Sequence, residues 1–416
     1  MLRSMFSAIS GLRAHQTKLD VTGNNIANVN TVGFKSSQTV FEDTLSQVIR
    51  NGSSPTAQSG GTNPAQVGLG VKVAGITTNF GQGSTQNTGR STDFMISGDG
   101  FFVTSQGNET LFTRAGSFDY DGVGNLVTPD GAQLMGWMAQ DGAVSSNGPI
   151  GPLTIPFGQV MAPEPSTRGT LTGNLSKDAT AGTQAQSQMT MYDSLGGAHQ
   201  ITLAFTKTAT PNEWSLAVSD ENGAPLATTP STASVTFDPA TGVPSIGTFS
   251  FAPSAAMAPS WRDPATGLAA SPDIDISTLR QFGGKTALTP DDVDGNAMGT
   301  LQSISLSNDG TIVGVYSNSI REPIGKLALA TFANPSGLSK AGNTSYRVGD
   351  NSGQAVIGEA GSGGRGSLTA GALEMSNVDL AEEFTGLIVA QRGFQANSRV
   401  ITSSDEILQD LVNLKR

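Results

Sequence analysis

The chain has 416 residues, enough for two to four domains, yet only 37% of them are hydrophobic and 6% aromatic while 52 are glycine, a mixture that suits turn-rich β-domains. A formal net charge of −11 with no basic stripe among aromatics excludes nucleic acid as a partner. Cysteine is absent and histidine occurs only at His15 and His199, so disulfides and thiolate metal sites are excluded, and no catalytic residue, metal or cofactor is expected.

Residues 4 to about 30 read as a helix, because Met5, Leu12, Leu19 and Ile26 recur every seventh position with Leu2 and Ile9 between them. Arg3, Arg13, His15 and Lys18 are spread through these apolar positions. The segment is therefore not a Sec-type signal peptide. No apolar run reaches about 18 residues, so no membrane-spanning helix is expected. The helix runs into "GNNIANVNTVGFK", Gly23 to Lys35, where Asn24, Asn25 and Asn28 can stop a helix and open a turn.

The next stretch, "SSQTVFEDTLSQVI", fits a short helix or a strand. Residues 50–66 contain no apolar side chain larger than alanine and are expected to form an exposed loop. Val67, Leu69, Val71 and Val73 then alternate with glycine and lysine, predicting a strand with one buried face. From Asp93 to Met138, apolar runs separated by Gly-Asp, Asp-Gly and Pro-Asp-Gly turns predict an inner β-domain. Proline and glycine thicken at 148–167, as at a crossing between domains. Residues 160–299, richer in Ala, Thr, Ser and Pro, are read as an outer β-domain with the hairpin "HQITLAFTK" and "EWSLAVSD". Its insertion into the first follows from the return of similar strand patterns at "LQSISLSNDGTIVGVYS" and "IGKLALATFAN".

A glycine-rich connector leads to the last element. Leu380, Leu387, Phe394, Ile401 and Leu408 recur every seventh residue, with Phe384, Leu411 and Val412 beside that seam. Ser376 and Asp379 fit a capping box, Glu382 and Glu383 fall in the first turn, and Lys415 and Arg416 at the far end. A helix from Leu380 to Leu414 would be on the order of 50 Å long. Gln16, Gly23, Gln391, Ser398 and Asp405 interrupt the two seams, which points to packing among several neighbours rather than a two-stranded coiled coil. Gly386 and Gly393, also seven apart, mark a face where another helix comes close. Two such stripes at opposite ends of one chain fit each other or other copies of the chain; the apolar seams are expected to find their partners in sister copies, leaving both ends disordered in a lone subunit.

Three stretches imitate ligand sites. "DYDGVGNL" from Asp119 and "DDVDGN" from Asp291 lack the full calcium-loop pattern and read as hairpin turns. "GSGGRG" lacks a following Gly-Lys-Ser/Thr and reads as a connector.

"SAISGLRAHQTKLDVTGNNIANVNTVGFKSS" at 7–37 and "SLTAGALEMSNVDLAEEFTGLIVAQRGFQANSRVITSSDEILQDLVNL" at 367–414, with "VGLGVKVAGI" and "GSTQNTGRSTDFMISGDGFF" between, resemble the bacterial flagellar rod and hook family. The resemblance covers both termini and the first β-domain. A length above about 400 residues with a large insertion resembles the hook-forming members. A rod-forming subunit is the alternative, and a surface adhesin a more distant one.

The resemblance implies a structural subunit that self-assembles into a curved, flexible tube and passes motor torque to the filament as a universal joint. It implies a mixed fold: long terminal helices forming a coiled-coil-like core, plus two mostly-β outer domains, the second inserted in the first. The expected division is 1–35 with 367–416 as helical assembly domain, 36–88 with 356–366 as connecting region with a β-hairpin and flexible loop, 89–159 with 300–355 as inner β-domain, and 160–299 as outer β-domain. The implied partners are sister copies, the flagellar rod, cap and hook-filament junction proteins and the type III export apparatus, with no membrane insertion and an extracellular location. The implied assembly residues are Met5, Ile9, Leu12, Leu19, Asn24, Asn25, Ile26 and Asn28 at one end, and Leu380, Phe384, Leu387, Gly393, Phe394, Ile401, Leu408 and Leu411 at the other.

Overall fold

Both chain ends are helical in the computed structural model, as α1 (Leu2–Ala27) and α2 (Leu380–Asn413). The structure describes every residue except 1, 56–59, 141, 232–233, 255–256, 258–259, 263–269 and 414–416, and leaves out the side chains of Leu2, Leu411 and Val412. Lys415 and Arg416, expected at the end of α2, thus lie outside the described residues. The chain divides into two units: Met1–Ile155 with Ile304–Gly314 and Glu322–Arg416, and Pro156–Ser303 with Val315–Arg321. Outside the two helices the described residues are mostly β-strand and turn.

In the first unit the chain leaves α1 through the asparagine-rich turn and enters a long antiparallel hairpin. Ser37–Asp43 pairs with Val71–Thr78, and Ser46–Arg50 with Ala65–Gly68. The segment read as either helix or strand is therefore strand, in keeping with the preference of Thr39, Val40, Phe41, Val48 and Ile49 for extended backbone. The expected loop at 50–66 is partly ladder as well, since Ser53 and Thr62 exchange backbone hydrogen bonds of 2.9 and 3.0 Å. The alternation at Val67–Val73 does not mark one strand with a buried face. Gly70, at φ +128, separates two strands, and Val67 and Leu69 are both exposed. Period-two alternation gives a strand two faces; it does not supply a layer to cover one.

The inner sheet of this unit runs Arg321–Leu327, Gln133–Met138, Phe101–Gln106, Glu109–Thr113, Ser345–Arg347, Ser339–Gly342. Phe101–Gln106 lies inside it and is buried on both faces. Phe101 packs edge-on to Phe332 and Phe80, with ring centres 5.7 and 5.5 Å apart, while Phe102 on the opposite face packs edge-on to Phe118 at 5.3 Å. The glycine-rich connector is more ordered than its composition predicts. Ser367–Ala370 and Ala372–Glu374 pair with Phe94–Ser97 and Thr85–Asn87, and Gly371, at φ +67, makes the break between them.

The second unit holds two sheets. One is antiparallel, in the order Gln184–Tyr192, Ala198–Lys207, Glu213–Ser219, Ser234–Thr236. The predicted hairpin is its middle pair, with Phe205 opposite Leu216. In Gln184–Tyr192 the residues Ala185, Ser187, Met189 and Met191 are buried and Gln184, Gln186, Gln188 and Thr190 exposed, so here a period of two does correspond to one core face. The other sheet forms around Arg168–Asn174, which pairs with Asp273–Asp275, Leu279–Arg280 and Ala287–Val293. Trp214, Trp261, Phe205 and Phe251 fill the core of this unit.

Candidate assembly surface on the terminal helices

The N-cap of α2 is Asp379, whose Oδ1 accepts from the Ala381 and Glu382 N–H groups at 2.8 and 3.3 Å. Ser376 instead accepts from Val378 N–H at 3.4 Å, so the box expected between Ser376 and Asp379 is replaced by a cap one turn later. Glu382 and Glu383 follow in the first turn, where the helix dipole favours carboxylates.

α1 and α2 run antiparallel and side by side. A Cβ built on Gly11 would lie 2.8 Å from Asn397 Nδ2, a Cβ built on Gly393 would lie 2.5 Å from His15 Nε2, and Asn25 Nδ2 donates to Glu383 Oε1 at 2.6 Å. These three contacts, stepping up α1 and down α2, fix one register. In that register the last turns of α2, from about Leu408, run past the start of α1.

The residues at these contacts are small or polar, and so are the residues that are wholly buried on the two helices. Ala8, Gly11, Ala14, Thr22 and Asn25 are buried on α1, and Ala390 and Ser404 on α2. Gly393 meets the neighbouring helix as expected, but Gly386 has nothing within 4 Å of where its Cβ would stand. The expectation that the ends find their partners in sister copies is corrected here in one respect: each helix is the other's partner, through small side chains that a search for large apolar stripes passes over. A heptad-spaced run of small and polar residues, Gly386, Ala390, Gly393 and Asn397, was the available signal.

The expected apolar residues are left largely outside this contact. Phe384 is 51% exposed, Leu380 and Phe394 are exposed as well, and so are Ile388 at 57% and Phe6 at 63%, neither of which the seams singled out. Met5, Ile9, Leu12, Leu19 and Ile26 on α1, and Leu387, Ile401 and Leu408 on α2, are half-buried. The side chain of Leu411 lies outside the described residues.

Of the asparagines, Asn24 is exposed and Asn28 half-buried. Asn28 Nδ2 donates to Asn24 O at 2.9 Å, closing the helix end as turn formers do. Asn25 does more. Buried to 1% exposure, its Oδ1 accepts from Ser37 N–H at 3.0 Å and its Nδ2 donates to Ser37 O at 2.8 Å and to Glu383, so one side chain joins α1, the hairpin and α2. His15 lies at a second such junction, its ring edge-on to Phe41 of the hairpin at 5.7 Å. Burial, and then the charge of Lys18, hold its pKa below the ordinary value.

The remaining candidate ligand groups are occupied by structure. Asp121 accepts from Val123 N–H, Asn125 N–H and Asn125 Nδ2 at 2.7 to 2.9 Å, and Asp294 from Thr167 and Arg168 N–H at 2.9 Å. His199 lies 3.1 Å from Asp193, whose other contacts include the Leu195 and Gly197 N–H groups of a turn. Among the described residues no group of three or more His, Asp or Glu is placed to hold a metal, and no helix is long and apolar enough to cross a membrane.

Four family models match along the chain: flagella basal body rod protein at 5–35, flagellar hook protein FlgE/F/G D1 domain at 95–162, flagellar basal body protein FlaE D2 domain at 165–296, and flagellar basal body rod FlgEFG protein C-terminal at 369–414. The flagellar hook protein FlgE of Borreliella burgdorferi is 39% identical, with 100% of both chains covered. The flagellar basal-body rod protein FlgG of Bacillus subtilis is 33% identical over 100% of both. Among solved structures, the flagellar hook protein FlgE2 of Helicobacter pylori matches 70% of this chain and 100% of its own with a TM-score of 0.52 at 13% identity, a likeness of fold. With identity to a hook protein extending from end to end, and hook and rod models matching from the first helix to the last, the chain belongs to the flagellar hook protein FlgE family, a structural rather than an enzymatic family.

Proposed function

We propose that this protein is the subunit of a bacterial flagellar hook: copies assemble into a curved, flexible tube outside the cell that carries motor torque to the filament as a universal joint. The observation that carries this reading is the exposure of Phe6, Phe384, Ile388 and their neighbours on helices that have already found each other within the chain. Large apolar side chains left exposed along a helix pair in this way suit a contact surface. In the tube, α1 and α2 of many copies form a coiled-coil-like inner core, and these side chains are covered by sister copies. The β-rich outer parts, with few charges and much Ser, Thr and Gly, make weak, replaceable contacts that allow bending. The rod, the cap, the hook-filament junction proteins and the type III export apparatus are the partners this role requires.

Electron microscopy of the purified protein at raised concentration tests the proposal. Curved tubes are expected. Straight, short tubes would favour a rod subunit, the reading to which the FlgG relative lends weight. A protein that stays monomeric at all concentrations would refute both.

A further inference from the structure

A cluster of buried charges lies in the first unit, at the roots of the two helices. Glu374, six residues before α2, and Lys35, eight after α1, both have side chains at 0% exposure, and Arg114 of the inner β-layer is at 3%. Glu374 Oε1 accepts from Lys35 Nζ at 2.6 Å and from Gly83 N–H at 2.8 Å, and its Oε2 accepts from Arg114 Nη1 at 3.2 Å. The two cations are held in turn by backbone carbonyls: Lys35 by Gly81 at 2.8 Å and Arg114 by Gly98 at 2.9 Å. Around this cluster the two roots are stitched together. Gly33 N–H donates to the Glu374 carbonyl at 2.8 Å, and Ser36 N–H donates to Asn377 Oδ1 at 2.8 Å.

A buried ion pair of this kind adds little net stability over an apolar replacement, but removing one member leaves an uncompensated charge in a dry site, which is strongly unfavourable. The N-terminal root therefore cannot dock stably without the C-terminal one: Lys35 alone would bury a second cation beside Arg114, and Glu374 is the carboxylate that, among the described residues, touches both; Glu374 itself needs only Arg114 to be balanced. We propose that Lys35, Glu374 and Arg114 form a latch that positions both helix roots at once, so that the α1–α2 pair is presented for assembly only when the two ends of the chain are docked together. These are positioning residues, and the inference rests on the polymer reading above only for its consequence.

The test uses the full chain, with amide hydrogen exchange and sedimentation of tubes as readouts. Glu374→Gln leaves Lys35 and Arg114 facing one another, and exchange is expected to rise at least tenfold at both 28–37 and 372–380, while Gln184–Tyr192 of the second unit stays at the wild-type rate. Lys35→Met leaves Arg114 and Glu374 as a balanced pair, so it is expected to fold and to loosen 372–380 less than Glu374→Gln does. The double variant Lys35→Met/Glu374→Gln is expected to exchange more slowly than Glu374→Gln alone, and tube yield to follow the same order. Loosening confined to 372–380 in Glu374→Gln, loosening at 372–380 in Lys35→Met as large as in Glu374→Gln, or additive effects in the double variant would overturn the latch. If the wild type forms no tubes, the polymer reading falls, and exchange in the monomer still decides the latch.

Discussion

Replacing Gly393 tests how closely the two helices must approach. Alanine there removes the entropic cost of a mid-helix glycine, a gain of about 0.5–1 kcal/mol, but places its Cβ 2.5 Å from His15 Nε2. The imidazole is the outer end of its side chain and can turn away, at the expense of its edge contact with Phe41. Gly393→Ala is therefore expected to be nearly neutral. Leucine cannot be accommodated by turning one ring. Overpacking of this kind costs about 1–3 kcal/mol, and an isobutyl group at a close helix contact belongs at the upper end. Subtracting the propensity gain leaves a weakening of about 2 kcal/mol, roughly thirtyfold in the equilibrium between paired and parted helices. The assay is the critical concentration for tube formation, read by sedimentation, beside the melting of the second unit, which should not change. His15→Ala in the Gly393→Leu background should recover part of the loss, because residues in contact couple. Wild-type tube formation by Gly393→Leu, or no recovery with His15→Ala, would refute the close-approach argument.

Other perturbations have equally definite outcomes. Asn25→Ala leaves the buried Ser37 N–H and carbonyl without the partners they have now and should destabilise the first unit by about 2 kcal/mol, measured by calorimetry. Asp379→Ala removes the cap of α2 and should cost about 1 kcal/mol, with fraying of the first turn visible in amide exchange. Since the pKa of His15 is lowered in the folded chain, the unfolded chain binds the proton more readily. Stability is then full above the ordinary value of 6.5 and is lost as pH falls below it towards the lowered one. Among the described residues the charge that lowers the His15 pKa is Lys18 of its own helix, and His15→Gln should flatten the profile of helix-pair melting against pH. A chain lacking residues 160–299 should still polymerise, but into straight tubes, as seen by electron microscopy; failure to polymerise would count against a core made by the helices.

What the sequence showed and what it hid divide along physical lines. Both terminal helices were legible from seven-residue spacing, and the hairpin of the second unit from alternation and turns. Their strands carry large apolar side chains on one face, and burial of that face is what the pattern reports. The β-hairpin between Ser37 and Thr78 was half legible. Its tip is exposed on both sides, and a strand with no covered face leaves only propensity to read. Hidden altogether were the contacts made by small and polar groups. Asn25 looked like a turn former and Lys35 like the end of a loop, because what each does depends on residues some 340 to 360 positions away, Glu374 and Glu383. No local pattern encodes a pairing over that separation.

The division of labour on the helices follows from the same distinction. If the large apolar residues of α1 and α2 faced each other, the pair would be a finished hairpin with a polar exterior and little reason to associate. Instead the pair meets at Gly11 and Asn397, His15 and Gly393, and Asn25 and Glu383, which bring the backbones close but bury little apolar area, and leaves Phe6, Leu380, Phe384, Ile388 and Phe394 exposed. Since each is about half covered already, covering the remainder would contribute about 1 kcal/mol per side chain. Part of the helices' hydrophobic free energy is thus still unspent when one chain has folded. On the proposed function, a subunit arranged in this way would remain dissociable when dilute and become cohesive as its neighbours arrive, which is what the inner layer of a growing tube requires.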